Sequence, residues 1–302
     1  MTSGAPSASE WRQLVKRVDA EGYDMIHTPQ HRGASGFGPL VALATAAEIS
    51  PRLRLGTLVL DNESTHPAVL AKDLATLDLL SEGRLEIGIG AGWLAADHES
   101  IGQLWPTPGE RIERLREALA VLRACFTSSP AEYAGKHYQL TGVVNEPLPV
   151  QKPHPPFLIG GGGRRVLTLA AQEADIVSFV PNMSAGKVGR ESATNATGTA
   201  TKEKLQWVRE AAGDRLSSIE LHTNLTNVYV TDDRRPLMEK VARGYGLDDA
   251  KDALDIPHVV IGTAAQCAEQ LQQRREETGI SHYTVFVANL DAFAPVLGML
   301  GR

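Results

Sequence analysis

The chain has 302 residues, 42% of them hydrophobic, and a formal net charge of -6. That is enough for one large α/β core or two small ones, and the acidic balance argues against nucleic acid or an anionic membrane surface as a partner. The two distant cysteines, Cys125 and Cys267, form no CxxC, no apolar run reaches membrane-spanning length, and MTSGAPSASE lacks a signal-peptide core, so a cytoplasmic protein is expected.

Residues 1–9 are small and polar, the composition of a loose terminus. A helix is predicted from about Glu10 to Glu21, with Trp11, Leu14, Val15 and Val18 on one side and capping-box spacing between Ser7 and Glu10. Tyr23–Thr28 reads as a short strand, Gly33–Gly38 as a loop, Pro39–Glu48 as an Ala-rich helix and Arg52–Leu60 as a strand. The next stretch, His66–Trp93, changes period midway. Pro67 suits a first helical position, and Leu70, Leu74 and Leu77 follow at helical spacing. Gly83 suits a left-handed helix end, and Leu85, Ile87 and Ile89 then alternate as a strand that finishes in Gly90-Ala91-Gly92-Trp93.

Beyond the long loop 94–109, the predicted order is a helix over Glu110–Phe126, a hairpin at Tyr133–Leu140, and a proline-rich approach to the strand Phe157–Ile159. Gly160–Gly163, the helix Arg164–Glu173 and the strand Asp175–Phe179 come next. Residues 181–201 read as a mobile insertion loop, because they hold almost no large apolar groups. A helix over Lys202–Ala212, a long strand over Ile219–Thr231 and a helix over Arg235–Gly244 lead to a strand–helix–strand close: Val259–Ile261, Ala264–Glu277, His282–Val287. A last helix is expected near Phe293–Leu300. The alternation predicts one parallel α/β domain over 1–302. With no Gly-x-Gly-x-x-Gly turn before an acid, a (β/α)8 TIM barrel with insertions is preferred to an open sheet. No strand is read before the first helix, so a barrel without its first strand is expected.

In a barrel the site lies at the C-terminal strand ends. These ends hold no paired carboxylates, Schiff-base lysine or nucleophile elbow, which suits a bound cofactor that carries the reaction. Gly160, Gly161, Gly162 and Gly163, followed by Arg164, form a phosphate candidate, or simply a flexible turn. Gly88, Gly90 and Gly92 leave one strand face bare, either for a flat ring or for close packing. Trp93 could flank such a ring or plug the mouth. His31 is a candidate proton donor or hydrogen-bond anchor, with a surface residue as the alternative. His98, beside Asp97 and Glu99, lacks metal-ligand spacing, and no metal site is expected. Arg111, Glu113 and Arg114 read as a solvated helix face.

HPAVLAKDLATLDLLSEGRLEIGIGAGW, with LRLGTLVLDN, GERIERLREALAVLR and PFLIGGGGRRVLTLAAQEADIVSF, resembles the bacterial luciferase-like superfamily of flavin-dependent oxidoreductases. VVIGTAAQCAEQLQQRREETGISHYTVF and FAPVLGML fit its coenzyme F420 branch. The resemblance implies a barrel, usually dimeric, with a flavin-like ring over the strand ends and a small-molecule substrate. It implies a non-prolyl cis peptide at Leu58-Val59 against that ring. Gly90, Ala91, Gly92 and Trp93 would lie beside the ring, Gly160–Gly163 with Arg164 at the phosphate end, and His31 near the redox centre. The sugar-phosphate dehydrogenases of the group carry a glutamate where Trp93 stands, which points away from that substrate class. The function implied is F420-dependent hydride transfer. The alternatives are an FMN-dependent monooxygenase and a non-catalytic flavin- or deazaflavin-binding protein.

Overall fold

A computed structural model describes residues 7–32, 36–183 and 190–300. The chain falls into two compact units, Met1–Ile159 and Gly160–Arg302. The expectations for residues 1–6, for 33–35 in the glycine-rich loop and for 184–189 lie outside the described residues.

The first unit opens with α1 (Ala8–Ala20), whose Ser7 cap accepts from the Glu10 N–H at 3.2 Å and donates to its carboxylate at 2.6 Å. Half of the predicted capping box is realised: the Glu10 carboxylate takes the Ser7 hydroxyl and not the Ser7 backbone N–H. Among the described residues no strand precedes it. β1 (Met25–Thr28), α2 (Pro39–Ile49), β2 (Arg54–Thr57), β3 (Leu60–Asp61), α3 (Pro67–Leu80) and β4 (Leu85–Gly90) follow. The strands pair in parallel in the order β1-β2-β4, with β3 also on β4. The strand expected over Arg52–Leu60 is interrupted at Leu58-Val59, a cis peptide. After α4 (Ala95–Glu99) and α5 (Pro108–Thr127), β5 (Ala131–Ala134) and β6 (Gln139–Val143) form the antiparallel hairpin foreseen there. The core of this unit is apolar, with Leu43, Leu55, Leu74, Leu85, Ile87, Ile89, Leu115, Leu119 and Phe126 all fully buried.

β7 (Phe157–Gly161) pairs in parallel with β4 through Phe157–Ile159. It runs two residues beyond the predicted strand, so Gly160 and Gly161 extend a strand rather than open a turn. The second unit continues with α6 (Arg164–Glu173), β8 (Ile176–Phe179), α7 (Arg190–Thr194) and α8 (Gly198–Ala212). The expected loop over 181–201 is therefore partly helical. Thr197, whose Oγ1 accepts from the Ala200 N–H at 3.3 Å, starts α8 four residues before the predicted helix. Ser, Thr and Gly there lower both the apolar signal and helix propensity, and the Thr197 cap starts the helix nonetheless.

β9 (Glu220–Leu225) pairs with β8, and β10 (Asn227–Val230) pairs with β11 (Val259–Gly262) beyond α9 (Arg235–Tyr245). The single strand predicted over Ile219–Thr231 is thus two. The N–H groups of Thr226 and Asn227 both donate to the His258 carbonyl, at 3.0 and 3.2 Å, and the chain changes partner there. α10 (Ala264–Thr278), β12 (Ile280–Val285) on β9 and α11 (Leu290–Leu297) complete the unit.

His258 is 3% exposed, with Nδ1 3.1 Å from the Asn224 carbonyl. Burial, with minor help from the charges of Lys204 and Arg274, pushes its pKa down to about 4 from 6.5. Between those values the unfolded chain holds a proton that the folded chain refuses, so stability rises with pH across the window and is lost as pH falls through it. The group's share is of order 3 kcal/mol. Urea unfolding of wild type should weaken markedly from pH 6.5 to 4.5, and His258→Gln should weaken less. Equal losses in both proteins would remove His258 as the cause.

Candidate functional site

Strand ends of the first unit gather its polar groups. Just past β1, the Gln30 amide oxygen accepts from the Asp61 N–H at 2.8 Å, joining the ends of β1 and β3. The Asp61 carboxylate accepts from the Glu63 N–H at 2.9 Å and lies 2.6 Å from His98 Nε2. His31 stands in the same loop as Gln30. Its Nδ1 lies 2.9 Å from Asp97 Oδ2, and its ring meets Trp93 edge to face, centroids 5.7 Å apart. The last residue of β1, Thr28, is 3% exposed and its hydroxyl has no partner. A buried hydroxyl left unpaired has a definite cost, so it is a place where a ligand group gains.

Successive glycines on β4 behave differently from the bare face expected of them. A Cβ at Gly88 would collide with the Thr57 carbonyl, and one at Gly90 would sit 3.0 Å from Val59 Cγ2. The Thr57 hydroxyl donates to the Gly88 carbonyl at 2.7 Å. Beside β4, then, the backbone leaving β2 fills the space through Leu58-Val59. At Gly92, in the left-handed region (φ 74°), a Cβ would lie 2.8 Å from Asp61 Oδ1.

Arg111 was expected on a solvated face, but it is 5% exposed. Its Nε donates to the Ala91 carbonyl at 3.0 Å, Nη1 donates to the Pro106 carbonyl at 2.6 Å, and its plane covers Trp105 at 3.8 Å. Burial pulls its pKa down from the ordinary guanidinium value. Arg114 pairs with the buried Glu63 at 2.9 Å. Of the three, Glu113 alone pairs at the surface, with Lys136 at 3.0 Å. The signal was available: Arg111 lies at helical spacing from Leu115, Ala118 and Leu122, the buried stripe of α5.

The second unit carries the tetraglycine. A Cβ at Gly161 would strike Val166 of α6, and one at Gly162 would strike the Pro181-Asn182 backbone. Those two glycines therefore allow close packing. Gly160 and Gly163 have room, with nearest atoms at 3.6 Å (Ser178 Cβ) and 3.9 Å (Asn182 Nδ2). Gly163 is the N-cap of α6 and supplies no side-chain cap. Arg164, 67% exposed in its side chain, leans to Glu210 of α8 at 3.6 Å. Along the strands, His222 bridges Ser178 and Thr284, 2.7 Å to each hydroxyl, and the Asn224 amide oxygen is buried without a partner.

A family model described as luciferase-like monooxygenase matches residues 1–256. The chain is 31% identical over 220 residues to an F420-dependent glucose-6-phosphate dehydrogenase of Amycolatopsis mediterranei, covering 70% of this chain and 64% of that one. It is 31% identical over 109 residues to an FMNH2-dependent dimethylsulfone monooxygenase of Pseudomonas putida, covering 36% and 30%. The chain spans about half the length of the curated relatives it matches. The solved coenzyme F420-dependent tetrahydromethanopterin reductase of Methanopyrus kandleri superposes with a TM-score of 0.76 at 18% identity, over 98% of this chain and 95% of that one. That likeness shows the fold, an α/β fold of the TIM-barrel class. No helix among the described residues is long and apolar enough to cross a membrane.

Proposed function

The chain belongs to the luciferase-like monooxygenase family, and on that premise we propose that it is an F420-dependent oxidoreductase moving hydride to or from a small organic substrate. The carrying observation is His31, a strand-end imidazole set edge-on to Trp93 and tied to a buried carboxylate. Further support is the extent of the F420-dependent relative, which aligns over 70% of the chain against 36% and 54% for two FMNH2-dependent ones.

The residues fit such a cofactor in two respects. Thr28 Oγ1 and Asn224 Oδ1 are buried acceptors still without partners. The uncapped start of α6 at Gly163 offers N–H groups and a positive dipole end to an anion. In this reading Leu58, Val59, Gly90, Ala91, Gly92 and Trp93 bear on the ring, and Gly160–Gly163 with Arg164 take a phosphate. When bound, the deazaflavin supplies hydride donation and acceptance at its central ring carbon. The chain's own part is to orient the reactants, exclude water and hold or release one proton at His31.

An FMN-dependent monooxygenase is the second reading, favoured by the FMNH2-dependent relative. A homodimer is proposed because α2 and α3 expose Val41 (74%), Val69 (60%) and Leu80 (57%). Incubation of small alcohols with F420, and of aldehydes with its reduced form, tests the function. Loss of F420 absorbance with an alcohol, or its return with an aldehyde, supports it. Formation of an oxygenated substrate with FMNH2 and oxygen supports the second reading, and binding without turnover supports a carrier.

Gly163→Asp is expected to weaken F420 binding at least about tenfold, the effect of a carboxylate set against an anion at close range. The fold should survive, because the position has room. Unchanged affinity in a fluorescence titration would remove the phosphate from α6.

A further inference from the structure

Asp97 and His98 are consecutive on α4 but do different work. The His98 side chain is fully buried: Nε2 lies 2.6 Å from Asp61 Oδ2, Nδ1 lies 3.2 Å from Gln103 Oε1, and the ring packs on Trp105 at 4.3 Å between centroids. Those contacts fix the segment after β4 to the end of β3. Asp97, 7% exposed, is thereby presented to the loop after β1. Its Oδ2 lies 2.9 Å from His31 Nδ1, and its Oδ1 accepts from the Arg32 N–H at 3.2 Å. The Arg32 guanidinium donates to the Asp97 carbonyl at 3.4 Å. One carboxylate thus engages two consecutive residues of the same loop. A solvated surface histidine needs no such arrangement, and a carboxylate this buried is kept only where donors meet it.

We propose that Asp97 is the positioning residue of His31: it keeps the Nδ1 proton in place, so that Nε2 is the nitrogen that accepts and returns the reaction's proton. This rests on the reading of His31 as the proton relay. A carboxylate offers only lone pairs to a ring N–H, which selects the Nδ1–H tautomer and leaves the Nε2 lone pair available. When Nε2 takes a proton from a substrate hydroxyl, the ring becomes imidazolium with the Nδ1–H···Oδ2 bond intact. Asp97 remains ionised and balances the new charge. When the proton leaves Nε2, the ring returns to its starting tautomer and nothing else has changed. His98 and Asp61 act one step further out, holding α4 where Asp97 can reach.

The test is the nitrogen NMR of the 302-residue chain with 15N-labelled histidine, at alkaline pH where imidazoles are neutral. His31→Gln identifies the His31 signals by their loss. The expected wild-type spectrum has His31 Nδ1 in the protonated, pyrrole-like range and Nε2 in the unprotonated, pyridine-like range. Asp97→Ala should move both toward the averaged positions of a mixed tautomer. A wild-type Nε2–H tautomer, or an unchanged tautomer in Asp97→Ala, overturns the proposal. The wild-type spectrum decides even if the variant fails to fold. No cofactor or substrate is required, so the result is independent of whether His31→Gln loses turnover, which judges the functional reading itself.

Discussion

Gly88→Ala is expected to yield little or no folded protein. The added methyl would run into the Thr57 carbonyl, a backbone atom whose place is set by parallel pairing of β2 with β4 and by the Thr57 hydroxyl bond to the Gly88 carbonyl. The branched side chain of Val59 closes the same space, with Cγ1 3.1 Å from the Cβ position. Overpacking ordinarily costs about 1–3 kcal/mol when side chains can yield. Here backbone must yield, so a loss above about 3 kcal/mol is expected against a total that is commonly 5–15. Gly163→Ala is the matched control, since nothing but the Asn182 side chain approaches its Cβ position. It should change the urea midpoint little. A Gly88→Ala protein with a wild-type midpoint would mean that β4 and the Leu58-Val59 segment are not packed as described.

His31→Gln is expected to lower turnover by about 10²–10⁴, the usual contribution of a positioned general acid or base. Glutamine keeps a donor and an acceptor, so Asp97 retains a partner and the loop after β1 keeps its place. F420 affinity should therefore stay within a few-fold of wild type. The split matters, because loss of turnover with retained binding marks a proton relay, whereas loss of both marks a binding contact. Steady-state rates beside a fluorescence titration of the same preparation separate the two. Full turnover in His31→Gln would end the catalytic reading of this residue.

The elements that sequence located well are those whose period matches a single partner surface. α3 begins at Pro67 and ends before the left-handed Gly83, and Leu85–Gly90 is a strand buried at every position. Periodicity cannot report a change of partner. Thr226 sits inside an unbroken strand pattern, yet β9 ends beside it and β10 pairs elsewhere. Glycine clusters carry a second ambiguity, because a bare Cα serves a ligand or a neighbouring backbone equally well. At Gly88, Gly161 and Gly162 it serves the protein's own atoms, while Gly160 and Gly163 keep room.

The polar layer around His31 was the least legible. Sequence spacing reads Asp97 and His98 only as a metal-ligand pattern that fails, and Arg111 and Arg114 only as surface charge. Their partners, at His31, Asp61, Ala91 and Glu63, lie 20 to 66 positions away in sequence. Local spacing holds no trace of such pairs.

The proposal that this chain takes a deazaflavin rather than FMN is tested most directly by an equilibrium fluorescence titration of the purified 302-residue chain with each cofactor in turn. The account predicts saturable binding of F420 and no saturation with FMN over the same range. Saturation by FMN while F420 is ignored would contradict it.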